Sequence, residues 1–317
     1  MRDAVVEVQS VTKRYGSYAA VRNLSLRIPR GSVYGLLGPN GAGKTTTIRM
    51  IMSIIYPDEG TVALFGGRGD GKDLSHRIGY LPEERGLYKK MKVIELLIFL
   101  AEIKGVARAK ARAGAQAWLD RLGLGDWGLK KADDLSKGMQ QKVQFIATIL
   151  HEPELLILDE PFAGLDPVNT QVMKDTVVEL ARAGTTILFS THIMEQAERL
   201  CDAVCIIARG TKVVDGPLAD IKRQHGGSNL VVAAERSPAL DRILSDNRLV
   251  KRADNYPNYA ELELAAGAKA QEVLEALVRN GVAVNRFEVA EPTLHKIFID
   301  LAGPQAQPAA PEEVARA

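Results

Sequence analysis

A lysine and a threonine close a glycine-rich octapeptide, Gly38-Pro-Asn-Gly-Ala-Gly-Lys44-Thr45. Glycines in this pattern let backbone N–H groups turn inward around phosphate oxygens, and a following helix adds a positive field at its N-terminus. The lysine reaches the β and γ phosphates, and the threonine hydroxyl goes to Mg2+. Gly38, Pro39, Asn40, Gly41, Ala42, Gly43, Lys44, Thr45 and Thr46 are the candidate nucleotide-binding residues of this segment. A second reactive pair, Asp159-Glu160, follows the apolar run Leu155-Leu-Ile-Leu158. A buried strand there would deliver Asp159 rigidly to the metal side of the site. Glu160, one residue on, should leave the opposite side of the strand and is the candidate to activate the attacking water. An Asp-Glu pair after apolar residues is a weak signal alone. Downstream of a phosphate loop it is a strong one.

Three further positions carry two readings each. Ser136 opens a stretch with helical apolar spacing at Met139, Val143, Ile146 and Leu150. Serine at a helix start is often a plain N-cap. Gly138, however, removes side-chain bulk beside the free N–H groups, as a second anion-binding helix end requires. His192 follows the apolar run 185–190; it is either structural or a ligand-side group at the carboxyl end of a strand, where α/β sheets bind ligands. Tyr15, in Lys-Arg-Tyr-Gly, is either a cross-strand aromatic or a stacking face for adenine.

The elements that must position these groups are legible from periodicity. Residues 5–14 and 20–28 read as strands, and 32–37 as a short apolar strand running into the glycine loop. A helix over 45–55 then completes the strand–loop–helix context that the phosphate motif requires. Residues 87–152 are rich in Leu, Ala, Lys, Arg and Glu, with helices expected over 88–104, 107–122 and 136–151. Continuous apolar runs at 155–158 and 185–190 suit buried parallel strands. Residues 203–208 and 212–214 read as a hairpin. After a Gly-rich linker at 225–228, the order strand 230–234, helix 238–245, strands 250–255 and 260–265, helix 269–280, strand 284–289 and helix 293–301 suggests a ferredoxin-like α/β domain. Residues 303–317 are rich in Pro, Ala, Gln and Glu and are expected to be disordered.

Composition narrows the function. Of 317 residues, 41 are basic and 39 acidic, a formal charge of +2, which gives no electrostatic case for nucleic acid. The most apolar window, residues 93–101, is too short to span a bilayer, where about 20 residues are needed. No apolar leader core follows Met1. The two cysteines, Cys201 and Cys205, are too few for a disulfide framework or a zinc site. These features read as a cytosolic chain.

The four segments, with Leu135-Ser136-Lys137-Gly138-Met139-Gln140 second and Ser190-Thr191-His192 last, resemble in order and spacing the ATP-binding cassette (ABC) family. The resemblance covers residues 4 to about 222. It implies a P-loop NTPase core with an inserted helical subdomain at about 87–152, in a nucleotide-binding domain over 1–222. Residues 216–302 resemble the extension of a drug- and sodium-export branch, here an accessory α/β domain over 229–302. On this resemblance residues 135–140 are the family's signature, Tyr15 its adenine-stacking aromatic, Gly164-Leu165-Asp166 its D-loop and His192 its switch histidine. It implies ATP and Mg2+, a head-to-tail homodimer in which Ser136 and Gly138 of one chain face the phosphate held by Lys44 of the other, and catalytic roles for Lys44, Glu160 and His192. It also implies an integral membrane permease as partner, docked near residues 86–97, and a cytoplasmic chain peripheral on the inner face of the membrane. Thr45, Asp159 and Glu83 are the expected metal-side residues. Two departures stand out: the signature reads Leu-Ser-Lys-Gly-Met-Gln rather than Leu-Ser-Gly-Gly-Gln, and Glu83 occupies a position where the family usually has Gln. The rival classes are a soluble ABC ATPase without a transport role and an ATP-sensing regulatory cassette.

Overall fold

The computed structural model describes residues 3–67, 74–84, 86–226 and 229–303. Residues 227 and 228 of the expected linker and the tail beyond 303 lie outside them. The chain forms two compact units. The first runs to Leu218 and, among the described residues, includes Phe298–Gly303; the second is Ala219–Ile297.

In the first unit β1 (Ala4–Tyr15) pairs antiparallel with β2 (Tyr18–Pro29) and with β4 (Glu59–Leu64), giving the order β2-β1-β4. A second sheet contains β3 (Val33–Leu37), β5 (Ile78–Leu81), β6 (Leu155–Asp159), β7 (Thr186–Thr191), β8 (Ala203–Ala208) and β9 (Thr211–Pro217) in the order β5-β6-β7-β3-β8-β9. All neighbours are parallel except β8 and β9. Every residue of β3, β6 and β7 is buried, which explains why their apolar residues run continuously rather than alternating, with the polar residues of β6 and β7 confined to the strand ends. The helices are α1 (Lys44–Ile51), α2 (Val93–Ile103), α3 (Arg108–Arg121), α4 (Lys137–Ile149), α5 (Pro167–Arg182) and α6 (Met194–Leu200). Tyr34, Phe145 and Phe189 are the largest fully buried side chains.

Two helices are shorter than their periodicity suggests, each for a local reason. α1 ends at Ile51, not at 55, because the chain turns through Ser53 at φ 55°. α2 begins at Val93, not at 88, because the preceding backbone bonds elsewhere. Lys92 bridges Lys131, and the amides of Ala132 and Asp133 donate to the carbonyls of Met91 and Lys89 at 3.0 Å each. The hairpin strand after Arg209-Gly210 is longer than expected, running to Pro217.

The second unit contains most of α7 (Leu218–His225), then β10 (Asn229–Ala234), α8 (Pro238–Leu244), β11 (Val250–Asn255), β12 (Ala260–Leu264), α9 (Ala270–Arg279), β13 (Val284–Val289) and the start of α10 (Leu294–Ala302). Its sheet is antiparallel in the order β11-β12-β10-β13, the split βαβ arrangement of a ferredoxin-like fold. Ala260, Leu262 and Leu264 face its core while Glu261 between them is exposed, the period-2 signature of a half-buried strand. Among the described residues no helix is long and apolar enough to cross a membrane.

Candidate nucleotide site

The carboxyl ends of β3, β6 and β7, three neighbouring strands, bring the candidate groups together. β3 runs into the glycine loop, whose Gly38, Gly41 and Gly43 have φ of 152°, 76° and 104°. A Cβ on Gly43 would lie 2.5 Å from the Ala20 carbonyl oxygen, and one on Gly38 2.1 Å from that of Ile207. Sterics therefore demand glycine at both positions.

Lys44 is buried, and its Nζ donates to the carbonyls of Gly38 at 2.9 Å and Pro39 at 3.2 Å. Burial lowers its pKa, and the Glu160 carboxylate, 3.8 Å away, acts in the opposite sense. The Thr45 hydroxyl donates to Asp159 Oδ2 at 3.0 Å. Asp159 is fully buried, and burial pushes its pKa up. Its Oδ1 is buried without a hydrogen-bond partner. A buried carboxylate oxygen left unpaired is costly in an apolar surrounding, and a cation would satisfy it.

Glu160 lies just past the end of β6 in the left-handed region, φ 47°, its N–H donating to the Ser190 carbonyl at 3.0 Å. This non-glycine conformation costs roughly 1–3 kcal/mol. Simple strand alternation sends the Glu160 carboxylate away from Asp159; here the turn places it beside Lys44 and within reach of β7. Glu160 Oε2 accepts from the Thr191 hydroxyl at 3.1 Å. Oε1 accepts from the His192 backbone N–H at 2.9 Å and contacts His192 Nδ1 at 2.8 Å. Lys44, Thr45, Asp159, Glu160 and His192 thus form one connected group. Chemically it holds an ammonium, a hydroxyl, an orphaned carboxylate oxygen and a second carboxylate oriented by a histidine.

The other candidates are positioned separately. Tyr15 stands opposite Tyr18 at the turn of the β1–β2 hairpin, 50% exposed, with Lys13 Nζ 5.9 Å from its ring centre. Ser136 is the exposed N-cap of α4, its Oγ accepting from the Met139 N–H at 3.3 Å. A Cβ on Gly138 would lie 3.5 Å from Leu165 Cδ2, so this helix end adjoins the Gly164-Leu165 turn. Asp166 caps α5 from the same turn, accepting from the Asn169 N–H at 3.0 Å. Glu83 is exposed on the loop after β5, and its charge acts on Lys44 less than those of Glu160 and Asp159 do.

Two residues that the sequence reading passed over tie this framework together. Gln141 and Gln144 are buried on α4. Gln141 Nε2 donates to the Pro161 carbonyl at 3.0 Å, directly after Glu160. Gln144 Nε2 donates to the Glu84 carbonyl at 3.3 Å, directly after Glu83. One helix therefore grips both acid-bearing loops. The available signal was two amides spaced i, i+3 on the same helix as the buried Val143 and Ile146; buried amides need partners.

A strand running into a glycine loop and helix, with two acids at the end of a nearby parallel strand, defines a P-loop NTPase core. The ABC transporter family model matches residues 21–163, and the C-terminal-domain model of DrrA1-3-like ATP-binding proteins matches residues 216–302. The ABC transporter ATP-binding protein YhaQ of Bacillus subtilis is 44% identical over 299 residues, covering 94% of this chain and 99% of that one. The daunorubicin/doxorubicin resistance ATP-binding protein DrrA of Streptomyces peucetius is 31% identical over 316 residues, covering 98% of this chain and 96% of that one. The solved structure of an ATP-binding subunit of an ABC transporter superposes with TM-score 0.65 at 33% identity, over 70% of this chain and 93% of that chain. The chain belongs to the ATP-binding proteins of ABC transporters, which bind ATP and hydrolyse it to power transport.

Proposed function

We propose that this chain works as a homodimer that closes on two ATP molecules and reopens on hydrolysis, driving a separate membrane permease of export type. The connected group of Lys44, Thr45, Asp159, Glu160 and His192 carries the reading. Lys44 neutralises the β and γ phosphates, and the loop N–H groups cradle them. Glu160 accepts a proton from the attacking water as its oxygen bonds to the γ-phosphorus and ADP leaves. His192 holds the Glu160 carboxylate in place. Tyr15 stacks on adenine. Thr45 and the orphaned Oδ1 of Asp159 suit Mg2+, with Glu83 as an outer oxygen donor. When bound, that ion would neutralise charge shared by the β and γ phosphates.

Ser136 and Gly138 supply a second anion-binding helix end, and Ser136 is exposed, as a contact to the phosphate in a partner copy requires. The export direction is supported by the resistance function in the name of DrrA. The nucleotide-binding domain is taken as residues 1–222 and the accessory domain as 229–302. The permease docks near residues 86–97, where Tyr88 is 56% exposed and meets Phe99 edge to face, ring centres 5.9 Å apart. On this reading the chain works in the cytoplasm, on the inner face of the membrane.

The test is size-exclusion chromatography with MgATP. Glu160→Gln should bind ATP, hydrolyse it at least about a hundredfold more slowly, and accumulate as an ATP-bound dimer. Adding Ser136→Arg should return it to monomer. A Glu160→Gln protein that stays monomeric at saturating ATP overturns the shared-site mechanism.

A further inference from the structure

The sheet of the second unit ends on β13, whose outer side no strand meets among the described residues. β13 pairs with β10 through Val289↔Leu230, Glu288↔Val231, Phe287↔Val232 and Arg286↔Ala233, and the Ala290 N–H donates to the Asn229 carbonyl at 3.0 Å. Backbone groups alternate in direction along an antiparallel strand. The N–H and C=O of Ala290 and Glu288 therefore face β10, and those of Phe287 and Val289 face away from the sheet. Val289 is also 57% exposed, and Phe287 is only partly buried against the core. Arg286 and Glu288 are exposed on the opposite face, where Arg286 Nε donates to Glu288 Oε2 at 2.9 Å. Their neighbours on β10, Ala233 and Val231, carry no charge.

This edge is complementary to itself. Two copies of β13 can run antiparallel about a two-fold axis through Phe287. The outward backbone groups of Phe287 then bond those of Phe287 in the other copy. Arg286 stands opposite Glu288 of the other copy, and Glu288 opposite its Arg286. The four charges alternate in sign along and across the strands, an arrangement that stabilises a strand pair. On the core side the two Phe287 rings meet, and Val289 becomes covered. A shift of one residue would aim the pairing at backbone groups already bonded to β10. Centring the axis on Val289 would set Glu288 against Ala290, and parallel strands would set like charges side by side. The other edge strand, β11, also alternates charge at Arg252 and Asp254, but has only Ala253 between them and Lys251 before them. Charge without an apolar anchor is the ordinary protection of an edge. We propose that the β13 edge is a self-association surface that joins the second units of two copies without nucleotide. It is a contact additional to the one through ATP. The strands are short, so the contact is weak, forms at high concentration and is lost on dilution over a size-exclusion column.

The experiment is sedimentation velocity of the full-length chain without nucleotide, over a range of concentrations up to about 1 mM. Wild type should pass from monomer to dimer. Arg286→Glu and Glu288→Arg should each weaken association about tenfold or more, because like charges then stand opposite one another twice per dimer. An equimolar mixture of these two variants should associate again, since each substituted side chain meets a charge of opposite sign in the other variant. No rearrangement within one chain gives that result. Phe287→Cys tests the register: directly opposed, hydrogen-bonded residues have Cα atoms about 5.5 Å apart, within disulfide reach. It should cross-link on mild oxidation, whereas Glu288→Cys should not; the native Cys201 and Cys205 are buried. Ser136→Arg should associate like wild type, which separates this contact from the ATP-dependent one. ATP binding and thermal unfolding are measured on every variant as the control for folding. Folded wild type that stays monomeric throughout overturns the proposal. So do charge variants that associate like wild type, a mixture that stays monomeric, or loss of association in Ser136→Arg.

Discussion

Asp159 holds charge in a place where burial opposes it. Its raised pKa means that, between the ordinary carboxylate value and the raised one, the folded chain binds more protons than the unfolded chain. Stability conferred at this residue therefore falls as pH rises through that window. Asp159→Asn removes the charge and keeps the shape and the acceptor for Thr45. It should raise Tm by about 2 °C or more in the absence of nucleotide, while activity falls at least about a hundredfold. Scanning calorimetry and a phosphate-release assay check the two halves, and a lower Tm would show that the charge is compensated. Glu83 makes a different case, because it is exposed and acts on Lys44 through charge alone. Glu83→Gln should keep most of the ATPase activity, whereas Glu83→Ala should lose it or uncouple it from transport. Full activity and full transport in Glu83→Ala would remove this residue from the site.

At the scale of elements, α4 does the connecting. It starts at the Ser136 cap, holds the loop after Glu160 through Gln141 and the loop after Glu83 through Gln144. Its flank leaves no room at β5, where a Cβ on Gly79 would come 2.4 Å from the Thr148 carbonyl oxygen. Gly79→Ala should therefore wedge β5 from α4, at roughly 1–3 kcal/mol, and lower ATPase activity through the displaced Glu83 loop. Urea titration and steady-state hydrolysis measure both, and an unchanged midpoint would mean that the helix yields. The strands β3, β6 and β7 were legible because a doubly buried strand is a continuous apolar run. The capped start of α4 was legible because Ser136 precedes a helical pattern. β4 was not legible: it begins Glu-Gly-Thr and is mostly exposed or half-buried, so no face stands out. The start of α2 was misjudged because Tyr88 to Lys92 continue its apolar rhythm while their backbone bonds to a distant loop. The link from Glu160 to His192 could not be read either. It depends on β6 and β7 being neighbours and on one left-handed residue, neither of which spacing reveals.

For the whole molecule, all phosphate-side chemistry lies in the first compact unit, and the second has its own core of Leu230, Val232, Leu262, Val273 and Leu277. A chain ending at Gln224 should fold and bind ATP within about threefold of the full-length affinity, since differences that small lie below 1 kcal/mol. Its Tm should be lower, because Phe298–Gly303 belong to the first unit and are lost with the second. Titration calorimetry on the shortened chain decides it: a folded protein that cannot bind would show that the second unit completes the site.

The strand order has a consequence for synthesis on the ribosome. β7 lies between β3 and β6, yet it is made after both. Until Thr191 has left the exit tunnel, the phosphate strand and the acid strand have no native neighbour to join them. Each presents an open, apolar edge during that interval, the kind of surface that invites pairing with other chains. More than half of the polypeptide is thus translated before the central sheet can close. The nascent chain is most vulnerable in the stretch just before the histidine emerges, and chaperone protection should matter most there.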